Sequence, residues 1–211
     1  MTTAKICGIS TAESMHAVIA GAASHVGLVF FPPSPRHLSF DAAMALAART
    51  PDHVRRVGVF VNPEDGLLEQ AVAAGKLHAV QLHQTPPARA AHIRQRFARE
   101  TWAAIAVRSR SDLDGVREYV GAADRILFDA KTPPGAALPG GMGVRFDWSL
   151  LDGFRHPIPW ALSGGLDAAN VGEAVRRTGA TLVDTSSGVE SAPGVKSVDK
   201  IAAFLQAVAA S

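Results

Sequence analysis

Cys7 is the only cysteine in 211 residues, and it stands at the end of a short apolar run, directly ahead of Gly8 in the stretch KICGIS. A lone thiol cannot form an internal disulfide or a cysteine-based zinc cluster, which leaves either a small buried hydrophobe or a reactive group. As a reactive group it would accept a proton once ionised, a state that a thiol of pKa ~8.5 reaches only to a few per cent at pH 7. Asp129, in RILFDA, has the opposite problem. An aspartate of pKa ~3.9 carries a proton about one time in a thousand at neutral pH, so it acts as an acid only where burial or negative neighbours raise that value. Taken singly, the thiol has an ordinary reading as core filler and the carboxyl as a helix cap or ion-pair partner. Taken together at the ends of two strands, they fit a base and an acid.

Other residues would hold what such a pair acts on. Gly164 and Gly165 in LSGGL, and Ser187 and Gly188 in TSSGVE, open two loops whose backbone N–H groups can approach a phosphate closely; the alternative is that the glycines merely turn tight corners. Pro32, Pro33 and Pro35 stiffen the segment FFPPSPRHLS, which ends in Arg36. A guanidinium held this way can grip a carboxylate with two parallel hydrogen bonds, unless it is an ordinary surface arginine. His83 and Asp184 also fall at strand ends, as substrate contacts or as polar supports of the same region. No spacing gathers three metal ligands on one element, so no metal site is expected.

The elements that must position these residues follow from periodicity. Short β-branched or apolar runs, at 4–7, 25–30, 56–61, 79–83, 102–107, 125–129, 160–163 and 181–185, alternate with alanine-rich stretches of helical period. Ser10 with Glu13 reads as a capping box, Ser39 as the cap of a helix over 40–49, Asp167 as the cap of a helix over 168–178, and Gly179 as that helix's stop. Eight strand-then-helix repeats without a linker predict a single (β/α)8 TIM barrel, an α/β fold, spanning residues 1–211. An open doubly wound sheet is the competitor, disfavoured by the absence of a GxGxxG motif and by the length of sheet that eight strands would make. Active sites of such barrels lie at the C-terminal ends of the strands, where Cys7, His83, Asp129 and Asp184 all fall. Alternation then turns Lys5, Cys7, Gln81, His83, Leu127 and Asp129 inward and Ile6, Val80, Leu82, Ile126 and Phe128 toward the helices. Lys5, in the interior, needs a partner that the sequence does not name.

Bulk properties exclude several classes. A hydrophobic content of 47% is enough for one well-filled core, and no apolar run is long enough to span a membrane. The N-terminus lacks the order of a signal peptide, so a cytoplasmic protein is expected. The formal charge of +2 is not concentrated on one face: Arg89, Arg94, Arg96 and Arg99 punctuate one helical stretch without interleaved aromatics, so no nucleic-acid partner is expected.

The stretches KICGIS, LVFFPPSPR, VGVF, VQLH, FDA, GGMG with FDW, LSGGL, and VDTSSGVE with PGVK occur in an order that resembles the phosphoribosylanthranilate isomerase family of tryptophan biosynthesis, from residue 4 to about 200. The resemblance implies a cofactor-free Amadori rearrangement of N-(5'-phosphoribosyl)anthranilate, a sugar phosphate bearing an anthranilate; monomer and homodimer both stay open, since apolar residues on the barrel helices could face a partner or the sheet. It implies Cys7 as general base, Asp129 as general acid and Arg36 as the group that holds the anthranilate carboxylate. This chain departs from the family's usual pattern at Met142, where a small polar residue is usual, at Gln84 in place of glycine and at Ser163 in place of alanine, none of them expected to touch the acid or the base. Gly140, Gly141 and Gly143 suggest mobility in the loop from 130 to 145. Two rivals remain at this point. The histidine-pathway isomerase would need a second phosphate loop, for which QLHQTPP is poorly suited, and a sugar-phosphate-binding barrel without activity would not need Cys7, Asp129 and Arg36 together.

Overall fold

The apolar runs form eight parallel strands: β1 (Thr3–Cys7), β2 (His25–Val29), β3 (Arg55–Val61), β4 (Ala79–His83), β5 (Glu100–Val107), β6 (Arg125–Ala130), β7 (Trp160–Leu162) and β8 (Leu182–Thr185). β1 pairs with both β2 and β8, which closes the sheet into a barrel in sequential strand order. The structure is a computed structural model and describes residues 1–131 and 143–211; Met142, Gly140 and Gly141 lie outside the described residues. Helices α1 (Ala12–Ala20), α2 (Phe40–Arg49), α3 (Asp65–Ala74), α4 (Pro87–Phe97), α5 (Val171–Thr178) and α6 (Val198–Ala209) follow their strands. After β8 the chain makes a short antiparallel hairpin, β9 (Glu190–Ala192) with β10 (Val195–Lys196), before α6.

The repeat departs from expectation twice among the described residues. β5 is followed by a 3-10 helix over Arg110–Tyr119, and between β6 and β7 the described helix is a 3-10 turn over Trp148–Leu151. In the first of these, Leu113 and Val116 are buried and Tyr119 packs against the core. A three-residue spacing of apolar groups lines up on a helix of three residues per turn and drifts off the face of a 3.6-residue one.

Two helix starts also differ. The capping box of α1 is Thr11 with Ser14, not Ser10 with Glu13: the Ser14 N–H donates to Thr11 Oγ1 at 3.1 Å and the Thr11 N–H to Ser14 Oγ at 3.4 Å. α5 begins at Val171 with Asn170 in the cap position. Asp167 instead closes the turn ahead of it, accepting from the N–H groups of Ala169 and Asn170 at 2.9 and 3.0 Å. Ser39 caps α2, and Gly179 ends α5 with φ 70°, both as expected.

Strand alternation sorts the side chains into two cores. Ile6, Val80, Leu82, Ile126 and Phe128 pack outward in the layer shared with the helices. Inside the barrel, Val57, Ala79, Trp102, Leu127, Ala161 and Leu182 fill the lower end, and Cys7, Val29 and Val59 meet near the upper rim. Two residues further along the strands than the lower layer come Gln81 and Asp184, with Lys5 beside them. The register of the closing strands makes Lys5 and Asp184 neighbours, and the Lys5 Nζ lies 2.8 Å from Asp184 Oδ1 with both side chains buried.

Candidate active site

A cavity of about 820 Å³, counted to its open mouth, lies at the C-terminal ends of the strands. Cys7, Arg36, His83, Asp129, Gly164, Gly165, Asp184 and Ser187 all line it, so residues drawn from β1, the β2 loop, β4, β6, the β7 loop and β8 converge on one space. Gly188 does not line it. A Cβ there would collide with the Leu166 carbonyl and lie 2.8 Å from Thr185 Oγ1, so this glycine lets the loops after β7 and β8 pack against each other. Thr185 Oγ1 fastens the same contact by donating to Leu166 O at 2.6 Å.

β1 ends at Cys7, and two glycines clear the ground around it. A Cβ on Gly27 would lie 2.8 Å from the Cys7 sulfur. Gly8 has φ 79°, and a Cβ on it would lie 2.5 Å from Arg36 Cδ, so the arginine's aliphatic stem crosses directly over the residue that follows the thiol. Burial pushes the thiol above its ordinary pKa; Lys5 and Lys196 pull it down, while Asp184 adds to the rise. The cations that act on the sulfur are therefore the two lysines.

Asp129 is held at the opposite part of the rim, its Oδ1 accepting from the Ala130 N–H at 2.9 Å. Burial, then the charge of Asp184, lifts its carboxyl to about 7, against the Ala130 N–H, Lys5 and Ser163. At that value about half of the carboxyl groups carry a proton at neutral pH, against one in a thousand for a solvated aspartate. Gly164, with φ 92°, is needed close by: a Cβ there would lie 2.7 Å from the Ala130 nitrogen and 3.3 Å from Asp129 Oδ1.

Arg36 is buried, not a surface arginine, but its side-on grip is already used. Its Nε donates to Glu190 Oε1 at 2.7 Å and its Nη2 to Glu190 Oε2 at 2.8 Å. Lys196 Nζ binds the same carboxylate, 2.7 Å from Oε1, so one anion is shared by two cations and the triad keeps one net positive charge. Glu190 and Lys196 had been passed over in the sequence. The available signal was that both lie within VDTSSGVE and PGVK, two charged residues on either side of a five-residue segment that places Gly194 against the Pro35 carbonyl.

At the floor of the cavity His83 Nε2 is 2.9 Å from Gln81 Nε2. Burial and then Lys5 pull the His83 pKa to about 4, so the ring is neutral at pH 7. Asp184 supplies the partner of Lys5 that the sequence left unnamed, and Ser163 Oγ donates to its Oδ2 at 3.3 Å. The expectation that Ser163 stands clear of the acid is corrected here, since its hydroxyl reaches both the Asp184 and the Asp129 carboxyl groups. Gln84, in place of the usual glycine, is held in the left-handed region at φ 50°, a conformation that costs a non-glycine residue about 1 kcal/mol.

The two loops expected to hold phosphate meet at the cavity. The backbone N–H groups of Gly164, Gly165, Ser187 and Gly188 have no acceptor among the described residues. Gly164 and Gly165 adopt φ 92° and 63°, and a short 3-10 turn starts at Ser187. Anions are bound by clustered N–H groups of this kind. Among the described residues no group of three metal-ligating side chains comes together.

A family model described as N-(5'-phosphoribosyl)anthranilate (PRA) isomerase matches residues 4–207 of the chain. The chain belongs to the phosphoribosylanthranilate isomerase family. The isomerase of Zymomonas mobilis subsp. pomaceae is 53% identical over 206 residues, 97% of this chain and 96% of that protein. The crystal structure of phosphoribosyl anthranilate isomerase from Thermotoga maritima matches with a TM-score of 0.87 at 35% identity, covering 100% of both chains. A structure of a phosphoribosyl anthranilate isomerase in complex with reduced 1-(o-carboxyphenylamino)-1-deoxyribulose 5-phosphate matches with a TM-score of 0.82 at 33% identity, again over 100% of both. Membership of the phosphoribosylanthranilate isomerase family makes the chain an isomerase of tryptophan biosynthesis, an enzyme that interconverts an aldose and a ketose.

Proposed function

We propose that the chain converts N-(5'-phosphoribosyl)anthranilate to 1-(2-carboxyphenylamino)-1-deoxyribulose 5-phosphate with Asp129 as general acid and Cys7 as general base. The observation that carries this reading is that both groups border one cavity, the acid with its pKa lifted to about 7. Asp129 gives its proton to the ring oxygen, the C1′–O bond breaks, and the furanose opens to an iminium ion. Cys7, as thiolate, then takes the proton from C2′, and the electron pair released forms the C1′=C2′ bond of an enolamine. Protonation at C1′ and loss of the hydroxyl proton at C2′ give the ketone, an isomer of the starting compound, so no redox partner or cofactor enters.

Arg36 faces the anthranilate carboxylate, with the net positive charge of its triad behind it. Gly164, Gly165 and Ser187 take the phosphate through backbone N–H groups, while His83 and Asp184 contact the ribose from below. The segment after β4 supports a one-phosphate substrate over a two-phosphate one, because α4 starts at Pro86 and Pro87, which have no N–H to offer an anion. The whole chain serves as one catalytic barrel, in the cytoplasm, as a monomer or homodimer. No helix among the described residues is long and apolar enough to cross a membrane.

Cys7→Ser and Asp129→Asn test the assignment. Each is expected to lower kcat by orders of magnitude while leaving the affinity for a reduced product analogue within a few-fold, and neither is expected to rescue growth of a tryptophan auxotroph lacking this step. Turnover like that of the parent enzyme in either variant removes that residue from the mechanism.

A further inference from the structure

Two buried ammonium groups stand near Cys7 without a part in the steps above. Lys5 is two residues before it on the same inward face of β1, fully buried and paired to Asp184 at 2.8 Å. Lys196 arrives from the other side, on the β9–β10 hairpin beyond the last barrel strand, with its side chain 2% exposed. It donates to Glu190 Oε1 at 2.7 Å, to Ser186 O at 2.9 Å and to Ser186 Oγ at 3.3 Å. The Ser186 hydroxyl in turn donates to the Cys7 carbonyl at 3.2 Å, so a continuous run of donors ties the hairpin lysine to the backbone of the thiol.

We propose that Lys5 and Lys196 are positioning residues for the Cys7 thiolate, flanking it from the barrel interior and from the hairpin, and that the β9–β10 hairpin belongs to the catalytic apparatus through Lys196. This rests on the reading of Cys7 as the base.

The charge count around the sulfur supports it. The groups that act on Cys7 are Lys5 on its own strand, Asp184 on β8 and Lys196 on the hairpin; Lys196 brings its partner Glu190, and Glu190 brings Arg36, whose stem crosses Gly8. His25 on β2 and His83 on β4 are neutral at pH 7, and Asp129 lies across the mouth. Three cations and two anions leave one net positive charge; without the two lysines the balance is one net negative charge. Burial alone drives a thiol toward its neutral form, and Lys5 and Lys196 are the two groups that oppose this. Replacing a buried ion pair such as Lys5–Asp184 with apolar residues is commonly neutral or stabilising, so stability gives no reason to keep it inside the barrel.

The arrangement matters because the two reacting groups titrate in the unproductive order. With Asp129 at about 7 and the thiol above its ordinary value, a protonated acid beside an ionised base is the minority form at every pH. Each unit by which the lysines lower the thiol's pKa raises that minority about tenfold.

Because Cys7 is the only cysteine, the pH dependence of iodoacetamide alkylation reads its ionisation without background. In Lys5→Met and in Lys196→Met the midpoint is expected to rise by about one unit or more, with the alkaline limb of turnover rising alongside it. An unmoved midpoint in either folded variant overturns the assignment of that lysine. Should Lys5→Met fail to fold, Asp184→Asn leaves the Lys5 charge uncompensated beside the sulfur: a fallen midpoint supports the proposal, and an unchanged or raised one overturns it. If the midpoints rise while the pH profile of turnover stays where it was, the lysines act on the sulfur as stated and it is the reading of Cys7 as base that fails.

Discussion

Arg36 and Glu190 meet edge to edge, with Nε to Oε1 at 2.7 Å and Nη2 to Oε2 at 2.8 Å, and both side chains are buried. A guanidinium held along one edge cannot swing, so its remaining surface points in one direction. Burial works against the Glu190 charge, yet Arg36 and Lys196 hold its carboxyl below the ordinary range. In the proposed reading the anthranilate carboxylate therefore meets an arginine whose two-pronged edge is spent on fixing its own direction.

Glu190→Gln removes the anion and leaves two buried cations against each other. Breaking a buried pair by removing one partner costs about 3–5 kcal/mol, and loss of the arginine's orientation costs up to about a hundredfold in catalytic efficiency. Urea unfolding and steady-state kinetics read the two effects separately. The expected kinetic loss falls mainly on KM, since Glu190 orients a binding group and reaches no reacting atom; an unchanged KM in folded protein refutes this role.

Gly8 carries the same arginine from beneath. Gly8→Ala places a Cβ 2.5 Å from Arg36 Cδ on a backbone at φ 79°, so it strains the chain and displaces the guanidinium at once. A loss of about 1–3 kcal/mol in stability is expected, with a raised KM for substrate. Arg36→Ala in the same background should add little further to KM, because the contact is already lost; full additivity of the two KM effects would show that Gly8 and Arg36 act independently.

Much of this site was readable because strand alternation and strand ends are local properties. The inward set of Lys5, Cys7, Gln81, His83, Leu127 and Asp129, and the glycine loops after β7 and β8, need only a period of two and the position of each strand's last residue. What stayed hidden depends on pairs far apart in the chain. Lys5 finds Asp184 across 179 residues through the register of the first and last strands, and Arg36 finds Glu190 across 154. Neither register nor loop packing is written in periodicity. The capping box of α1 was displaced by one residue because SerThrAlaGluSer offers two overlapping versions of the same motif, and only burial of Met15 and Val18 decides between them.

Ser163 gives a pH-dependent prediction. Its hydroxyl reaches both carboxyl groups, and its hydrogen bond is one of the influences that hold Asp129 down. In Ser163→Ala the Asp129 pKa is expected to rise above about 7, and the acidic limb of the kcat/KM profile, which reports that group in the free enzyme, moves to higher pH by a few tenths of a unit to about one unit. The alkaline limb, set by Cys7, stays. A profile unchanged on its acidic side shows that Ser163 does not contact Asp129 in solution.

Acid stability follows from two histidines kept neutral inside the barrel. His25 packs edge-on against Trp102, ring centroids 5.4 Å apart, with Nδ1 2.8 Å from Ser24 Oγ; burial and then Lys5 lower its pKa to about 3, as burial lowers that of His83 to about 4. In the unfolded chain both return to 6.5. As the pH falls from 6.5 toward 4, the unfolded chain takes up two protons that the folded chain refuses. Asp129 works the other way, since its folded value of about 7 exceeds its unfolded 3.8 and the folded state holds one proton more. His78 and His156 are also held below 6.5 in the folded chain, mainly by burial, so the protons favouring the unfolded chain outnumber the one that Asp129 holds and stability falls with pH in this window, each such proton contributing up to ~1.4 kcal/mol per pH unit. His25→Gln removes one of these protons and lowers the slope by up to ~1.4 kcal/mol per pH unit. Urea unfolding at pH 6.5, 5.5 and 4.5 should show that slope in the parent protein and a markedly flatter one in His25→Gln; equal slopes in the two proteins would mean that His25 is already protonated in the folded state.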